Sequence, residues 1–326
     1  MADFEHKLKN IHSYPVKEEQ MKIGKVDVNN QFVLAPMAAV NCTAFRMLCK
    51  ENKAGIVYTQ MFDVELIKNK TKREIKDLLN ITKSERPVSV QLIGNNEDAL
   101  IKSINQVEEY ADIIDFNVGC SEKEILQQGY GAFLLSNLSL LERLVRKMVN
   151  STEKPITVKM RIGMDAQHII AVKVATMLQD AGVAAICIHG RTVQQKLAKK
   201  VNWTIMKQTK EKIVIPLMAN GDVTSYERGI DLLNKTGCDF VMIGRGARDR
   251  PWIFDPEKQQ LNNTGIKQQI LRFIKLYNEY ENRSSSQEVR EHVFWMLKDY
   301  ITKQDTRTVL NLKYIKDVEN FVTSLK

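Results

Sequence analysis

Two patterns alternate along the chain. Short β-branched apolar runs, each closing in a polar or glycine-containing turn, give way to stretches whose apolar residues recur at helical spacing. Eight such runs follow one another, at 32–37, 55–61, 87–94, 113–120, 155–163, 185–192, 215–221 and 240–247. Their near-continuous apolarity marks strands covered on both faces, as in parallel sheets. The helical period is read between them, over 97–110, 138–150, 167–181 and 226–235. Eight strands alternating with helices predict an α/β protein of the (β/α)8 TIM barrel type rather than an open doubly wound sheet.

Two segments lie outside this repeat. Residues 1–31 include KIGKVDVNNQ, whose alternation and Asn-Asn turn predict a small hairpin capping the bottom of the barrel. Beyond Pro256 the strand pattern stops, and residues 266–325 read as helices over 266–282, 287–303 and 308–325. The serines of the intervening NRSSSQ are suited to capping the second of them. The expected organisation is a barrel over 1–256 followed by a helical bundle domain over 257–326. Phe273, Tyr277, Tyr280, Phe294 and Trp295, at helical spacing, are read as that bundle's core.

Composition narrows the class. With 326 residues, 44% hydrophobic and 27% charged, the chain is too apolar for a disordered protein and long enough for a barrel of about 250 residues with an appendage. No apolar run reaches the roughly 18 to 20 residues needed to cross a bilayer, and the polar N-terminus has no signal-peptide core. The expectation is a cytoplasmic monomer with no membrane partner. Five cysteines, odd in number and without a CxxC pair, indicate neither a disulfide framework nor a metal site. The net charge of +9 favours a polyanionic partner.

Polar residues gather where such a barrel builds its active site. At or just past the C-terminal ends of the runs stand Gln60, Gln91, Asn117 with Cys120, Lys159 with Arg161, His189 with Arg191, Asn220 with Asp222, and Arg245. That face of the barrel carries the chemistry in enzymes of this architecture. The word IGRGA after the eighth run, with NGD closing the seventh, offers glycine-turn amides and a cation to a phosphate-bearing cofactor. Lys159 and Arg161 alternate with apolar neighbours and therefore face the same way, where unpaired cations call for an anionic ligand. Such a lysine would stabilise a reduced flavin at N1 and the C2 oxygen. His189, before Gly-Arg-Thr, is read as a ligand contact, and Cys120 in NVGCS as either a nucleophile or a proton donor.

The ordered words VLAPMA, NVGCS, GYGAFLL, VKMRIG, IHGRT, NGDV and VMIGRGARDRPWIF, spread over residues 33–254, resemble the tRNA-dihydrouridine synthase (Dus) family. REHVFWMLK in the tail is similar to that family's C-terminal module. The resemblance implies an oxidoreductase that uses FMN and NADPH to reduce particular uridines of tRNA, with hydride passing to C6 and a proton to C5. It places flavin contacts at Pro36, Met37, Ala38, Gln91, Lys159, His189, Asn220, Gly221, Asp222, Gly244 and Arg245. It makes Cys120 the catalytic acid and sets Asn117 beside the target uracil. The chain departs from the family pattern at Ser121, usually Pro, at Gln60, usually Glu, at the VQQKLAKK loop after HGRT, and at Asp249-Arg250.

Partner tRNA gives the positive charge a location. Residues 191–212 carry Arg191, Lys196, Lys199, Lys200, Lys207, Lys210 and Lys212 against the single acid Glu211. Arg161, Arg191, Lys199, Lys200, Arg290 and Lys298 are the candidate substrate and tRNA contacts, and Lys68, Lys70, Lys72 and Arg73 form a second basic cluster. Two other functions fit parts of the chain: an FMN barrel acting on a small pyrimidine or enone, as dihydroorotate dehydrogenases do, and an RNA-binding homologue without chemistry.

Overall fold

The computed structural model describes residues 21–281 and 285–325. A two-stranded hairpin, β1 (Met21–Ile23) and β2 (Val26–Val28), precedes eight parallel strands. These are β3 (Phe32–Leu34), β4 (Val57–Asp63), β5 (Val88–Ile93), β6 (Ile113–Val118), β7 (Ile156–Arg161), β8 (Ala185–His189), β9 (Leu217–Asn220) and β10 (Phe240–Ile243). Consecutive strands from β4 to β10 pair in parallel, β10 pairs with β3, and the amides of Leu34 and Gly55 donate to the carbonyls of Ile56 and Phe32 to close the ring. All eight expected runs are strands of one barrel.

Period-two alternation divides each strand between two cores. Outward-facing residues such as Val90, Phe116, Val158 and Ile188 pack against the helices, while Val33, Tyr58, Ile113, Cys187, Met218 and Met242 fill the barrel. Ile23 and Val28 of the hairpin join that inner cluster, so the hairpin plugs the N-terminal end of the barrel. Its turn is Gly24-Lys25, not Asn-Asn: Gly24 takes φ +55°, and Asn30 instead bonds the carbonyls of Lys53 and Phe254. Residues 1–20 of the expected cap lie outside the described residues.

Helices start where capping side chains satisfy orphan amides. Thr71 and Glu74 form a capping box for Lys72–Leu79, Asn96 caps Glu97–Val107, and Ser225 caps Tyr226–Thr236. GYGAFLL becomes the 3-10 turn Gly131–Ser136 that leads into Leu138–Asn150. The described residues of the tail form four α-helices: Asn263–Tyr280, Ser286–Leu297, Lys303–Asn311 and Ile315–Ser324. Ser285 caps the second of these as expected. The helix expected over 308–325 is broken at 312–314, where Arg290 takes the Leu312 carbonyl at 2.5 Å, and a Thr302–Asp305 capping box starts the third helix before residue 308. Among the described residues no helix is long and apolar enough to cross a membrane.

The tail is tied to the barrel mouth. His292, fully buried, places Nε2 2.9 Å from the Val40 carbonyl, in the loop after β3, and its ring stacks on Phe273 at 4.7 Å. Phe273 and Tyr277 are buried, whereas Phe294 and Trp295 are half-buried. Trp295 carries the Arg248 guanidinium 5.0 Å above its ring, and Lys298 pairs with Asp249 at 2.5 Å. One tail helix therefore braces the loops that follow both the first and the last barrel strands.

Candidate active site

The inward faces of β5 to β9 turn polar toward their C-terminal ends, with Gln91, Asn117, Lys159, His189 and Asn220. A cleft of about 540 Å³ opens there, lined by Pro36, Met37, Lys159, His189, Asn220, Gly221, Asp222, Gly244 and Arg245 among others. The volume falls within the roughly 300–1,000 Å³ of small-molecule sites. Gly221 is required at its position. It adopts φ +129°, and a Cβ there would lie 2.7 Å from Val201 and 3.0 Å from the His189 ring. The Asn220 amide donates to the Met242 carbonyl at 2.7 Å, which joins the ends of β9 and β10.

Charge in the cleft is predominantly positive. Lys159, Arg245, Arg248 and Lys298 line it. Asp222 is held by Arg191 and Arg245, and Asp249 by Arg248 and Lys298. Among the described residues Lys159 takes part in no ion pair, and its charge reaches Asp115, Cys120 and His189. Burial, reinforced by the charges of Lys159, Arg161, Arg191 and Arg245, pushes His189 down to about 2. Burial and the surrounding cations both favour the neutral imidazole. The first amides of the helix Arg245–Asp249 have no partner within the helix, and its Gly244–Gly246 end lines the cleft.

The thiol lies one strand away. Asn117 and Lys159 are register partners on β6 and β7, so the Asn117–Cys120 turn and the cleft share a wall. The Asn117 side-chain oxygen accepts the amides of Gly119 at 3.0 Å and Cys120 at 2.9 Å, while its Nδ2 donates to Gln91 at 2.9 Å. Burial raises the Cys120 pKa against the smaller pull of Lys159 and Arg161, which keeps the thiol protonated. A protonated thiol suits a proton donor better than a nucleophile.

Several expected contacts are engaged elsewhere. Gln91 is buried, with one amide end on Asp115 and the other on Asn117, and Ala38 is on the loop after β3; neither lines the cleft. Arg161 donates to the carbonyls of Gly119 at 2.9 Å and of Thr192 and Lys196 at 3.0 Å each, so its charge is met by backbone oxygens without a ligand. Arg191, only 3% exposed, binds Asp222 and the Lys199 carbonyl. Both arginines thus hold the basic 192–200 loop from beneath, while Lys199 and Lys200 at its surface are exposed. Arg290 bonds the Leu312 carbonyl, and Lys298 lines the cleft beside Asp249. Gln60 lies outside the cleft and lines a separate cavity of about 180 Å³ between the barrel and the tail. Lys68, Lys70, Lys72 and Arg73 are all in ion pairs, which blunts the second basic cluster.

Sequence reasoning missed Asp115, Arg46 and His292. Asp115 had a signal, being two residues before Asn117 in an otherwise apolar run and so on the same inner face. The partners of Arg46 and His292 are remote in the chain, and no local pattern marks them.

Comparison with known proteins bears on this arrangement. The sequence profile of the family described as dihydrouridine synthase (Dus) matches residues 33–322. A tRNA-dihydrouridine synthase B of Xanthomonas axonopodis is 31% identical over 315 residues, covering 93% of this chain and 94% of that protein. One from Shewanella oneidensis is 32% identical over 299 residues, covering 88% and 91%. Among solved structures, a variant of the old yellow enzyme homologue NCR of Zymomonas mobilis superposes with a TM-score of 0.59 at 15% identity, covering 82% of this chain and 99% of that one, a likeness of fold. The family match spans the barrel and the tail alike, and this chain belongs to the dihydrouridine synthase family.

Proposed function

We propose that this protein reduces uridine to 5,6-dihydrouridine in tRNA, with FMN in the cleft, NADPH as reductant and Cys120 as the acid. The observation that carries the reading is the shared wall between a cationic cleft lined by Lys159 and a protonated thiol in the turn that follows the neighbouring strand. The donors present fit a flavin mononucleotide. The Gly244–Gly246 amides with Arg245 suit its phosphate, and Lys159 suits the N1 and C2 oxygen region, where negative charge gathers on reduction. Pro36, Met37, His189, Asn220, Gly221 and Asp222 would hold the rest.

When bound, the cofactor supplies a hydride, drawn from NADPH, to C6 of the uracil. The protein's part is to seat the base and to deliver a proton. Asn117 orients the turn and faces the uracil, and the Cys120 thiol gives its proton to C5. Neutral His189 contributes hydrogen bonding without competing as an acid. To reach this site the base must leave its stack, which requires a grip on the surrounding RNA. Exposed Lys199 and Lys200, on a loop fixed by Arg161 and Arg191, supply part of that grip. In this reading the protein works as a cytoplasmic monomer.

The test is incubation of the purified protein with NADPH and unmodified tRNA, followed by nucleoside mass analysis. Dihydrouridine at a defined position is expected, and none at any position would sink the proposal. Reversing charge with Lys199→Glu and Lys200→Glu should weaken tRNA binding and lower the slope of log affinity against log salt by about one per lysine, at unchanged flavin content. An unaltered slope would remove the loop from the interface.

A further inference from the structure

Asp115 is fully buried inside the barrel, two residues below Asn117 on β6, and the proposed reaction makes no use of it. Its Oδ1 accepts the Thr157 hydroxyl at 2.6 Å and its Oδ2 accepts Gln91 Nε2 at 2.7 Å. Gln91 Oε1 in turn accepts Asn117 Nδ2 at 2.9 Å, and Asn117 Oδ1 accepts the amides of Gly119 and Cys120. A continuous line of hydrogen bonds therefore runs from the barrel core to the backbone of the reactive cysteine.

The direction of that line has a chemical origin. A side-chain amide can be reversed end for end, exchanging donor and acceptor, unless a partner forbids it. An ionised carboxylate only accepts, so the NH2 end of Gln91 must face Asp115. Its carbonyl end is then left for Asn117, which must present its own NH2 to Gln91 and its own oxygen to the Cys120 turn. Burial raises the Asp115 carboxyl to about 6, while Thr157, Gln91 and the charge of Lys159 pull it down, and both of its oxygens accept hydrogen bonds, the pattern of an ionised carboxylate. Without an acceptor-only group at the base of the line its core end is released, and only the amides of Gly119 and Cys120, which donate and cannot accept, still hold the Asn117 oxygen toward the turn. Gln91 then loses the partner that fixes its NH2 end, and the line is anchored at one end instead of two.

We propose that Asp115 is a positioning residue for the reduction of uridine, anchoring the core end of the line and so holding, together with the amides of Gly119 and Cys120, the amides of Gln91 and Asn117 and the place of Cys120. The inference rests on the reading of Cys120 as the proton donor. The line also gives each end of the Gln91 amide a partner, although Gln91 does not line the cofactor cleft.

Asp115→Asn keeps the shape and removes the acceptor-only end. It should lower kcat for dihydrouridine formation about 10–100-fold, the scale of a small misplacement of a reacting group, while KM for tRNA and flavin content stay at the wild-type level. Adding Gln91→Glu to Asp115→Asn puts the carboxylate one residue along the line. The carboxylate so introduced would again accept the Asn117 NH2 and restore its anchor, and kcat should recover at least in part. Thr157→Val, which frees the other carboxylate oxygen at constant shape, is the milder variant should Asp115→Asn not fold, and should lose kcat in the same direction. Wild-type kcat in Asp115→Asn or in Thr157→Val, or no recovery in the double variant, would overturn the proposal. A wild-type protein that makes no dihydrouridine would overturn the underlying function instead, so the two failures are separable.

Discussion

Cys120→Ala is expected to slow dihydrouridine formation by about 10²–10⁴-fold, the contribution of a positioned general acid, while flavin and tRNA binding persist. The expectation follows from where the thiol stands. Cys120 lies just past the end of β6, partly exposed, with its amide held by Asn117 and its carbonyl accepting the Ala132 amide at 2.9 Å. The backbone on both sides is thus fixed, and the side chain is not needed to keep the turn. Burial outweighs the nearby cations and keeps the sulfur protonated, so the proton it would deliver is present at neutral pH. Cys120→Ser retains a donor of much higher pKa and should recover little of the rate. Single-turnover measurement with reduced enzyme and tRNA checks both variants, and a full rate in Cys120→Ala would remove the general-acid assignment.

Arg46→Ala is expected to destabilise the protein by about 3–5 kcal/mol, the cost of leaving a buried charge without its partner. Arg46 and Glu85 are 3% and 0% exposed, with Nε 2.6 Å from the carboxylate. The same guanidinium donates to the carbonyls of Asn41, Leu79 and Asn80 at 2.9–3.2 Å. Glu85 also accepts the Thr82 amide at 2.6 Å, and its burial leaves the carboxylate uncompensated once Arg46 is gone. Combining Arg46→Met with Glu85→Gln removes both charges and should cost much less than the sum of the single changes. Denaturant midpoints of the wild type, the two single variants and the double variant measure the coupling, and additive losses would refute it. The loop is affected as well. Asn41 donates from its side chain to the carbonyls of Ala35 and Tyr58, so losing Arg46 should loosen the turn that carries Pro36 and Met37 and weaken flavin retention.

The barrel is legible in the sequence because its signal is local and repeated. Each strand must cover both faces with apolar side chains, and each connection must reverse direction within a few residues, so eight β-branched runs and their turns announce eight strands. The polar residues at strand ends mark the mouth for the same reason. The hairpin turn and the third tail helix escape a local reading because their partners are distant. Asn30 gives its NH2 to the carbonyls of Lys53 and Phe254 and its oxygen to the Phe32 amide, away from the hairpin turn, and Leu312 gives its carbonyl to Arg290.

By itself the sequence determined the strand count, the inward period, and the residue types available at the mouth, all of which follow from periodicity and side-chain chemistry. Only the tertiary structure decided what those residues do. Arg161 and Arg191 carry the same charge as Lys159, yet backbone carbonyls and Asp222 occupy them while Lys159 is left to the cleft. Gln91, an expected cofactor contact, stands in the middle of a line that begins at Asp115. The reason is physical: a buried polar group must be satisfied, and which partner satisfies it depends on the neighbour that closure of the barrel brings within about 3 Å, not on its place in the chain.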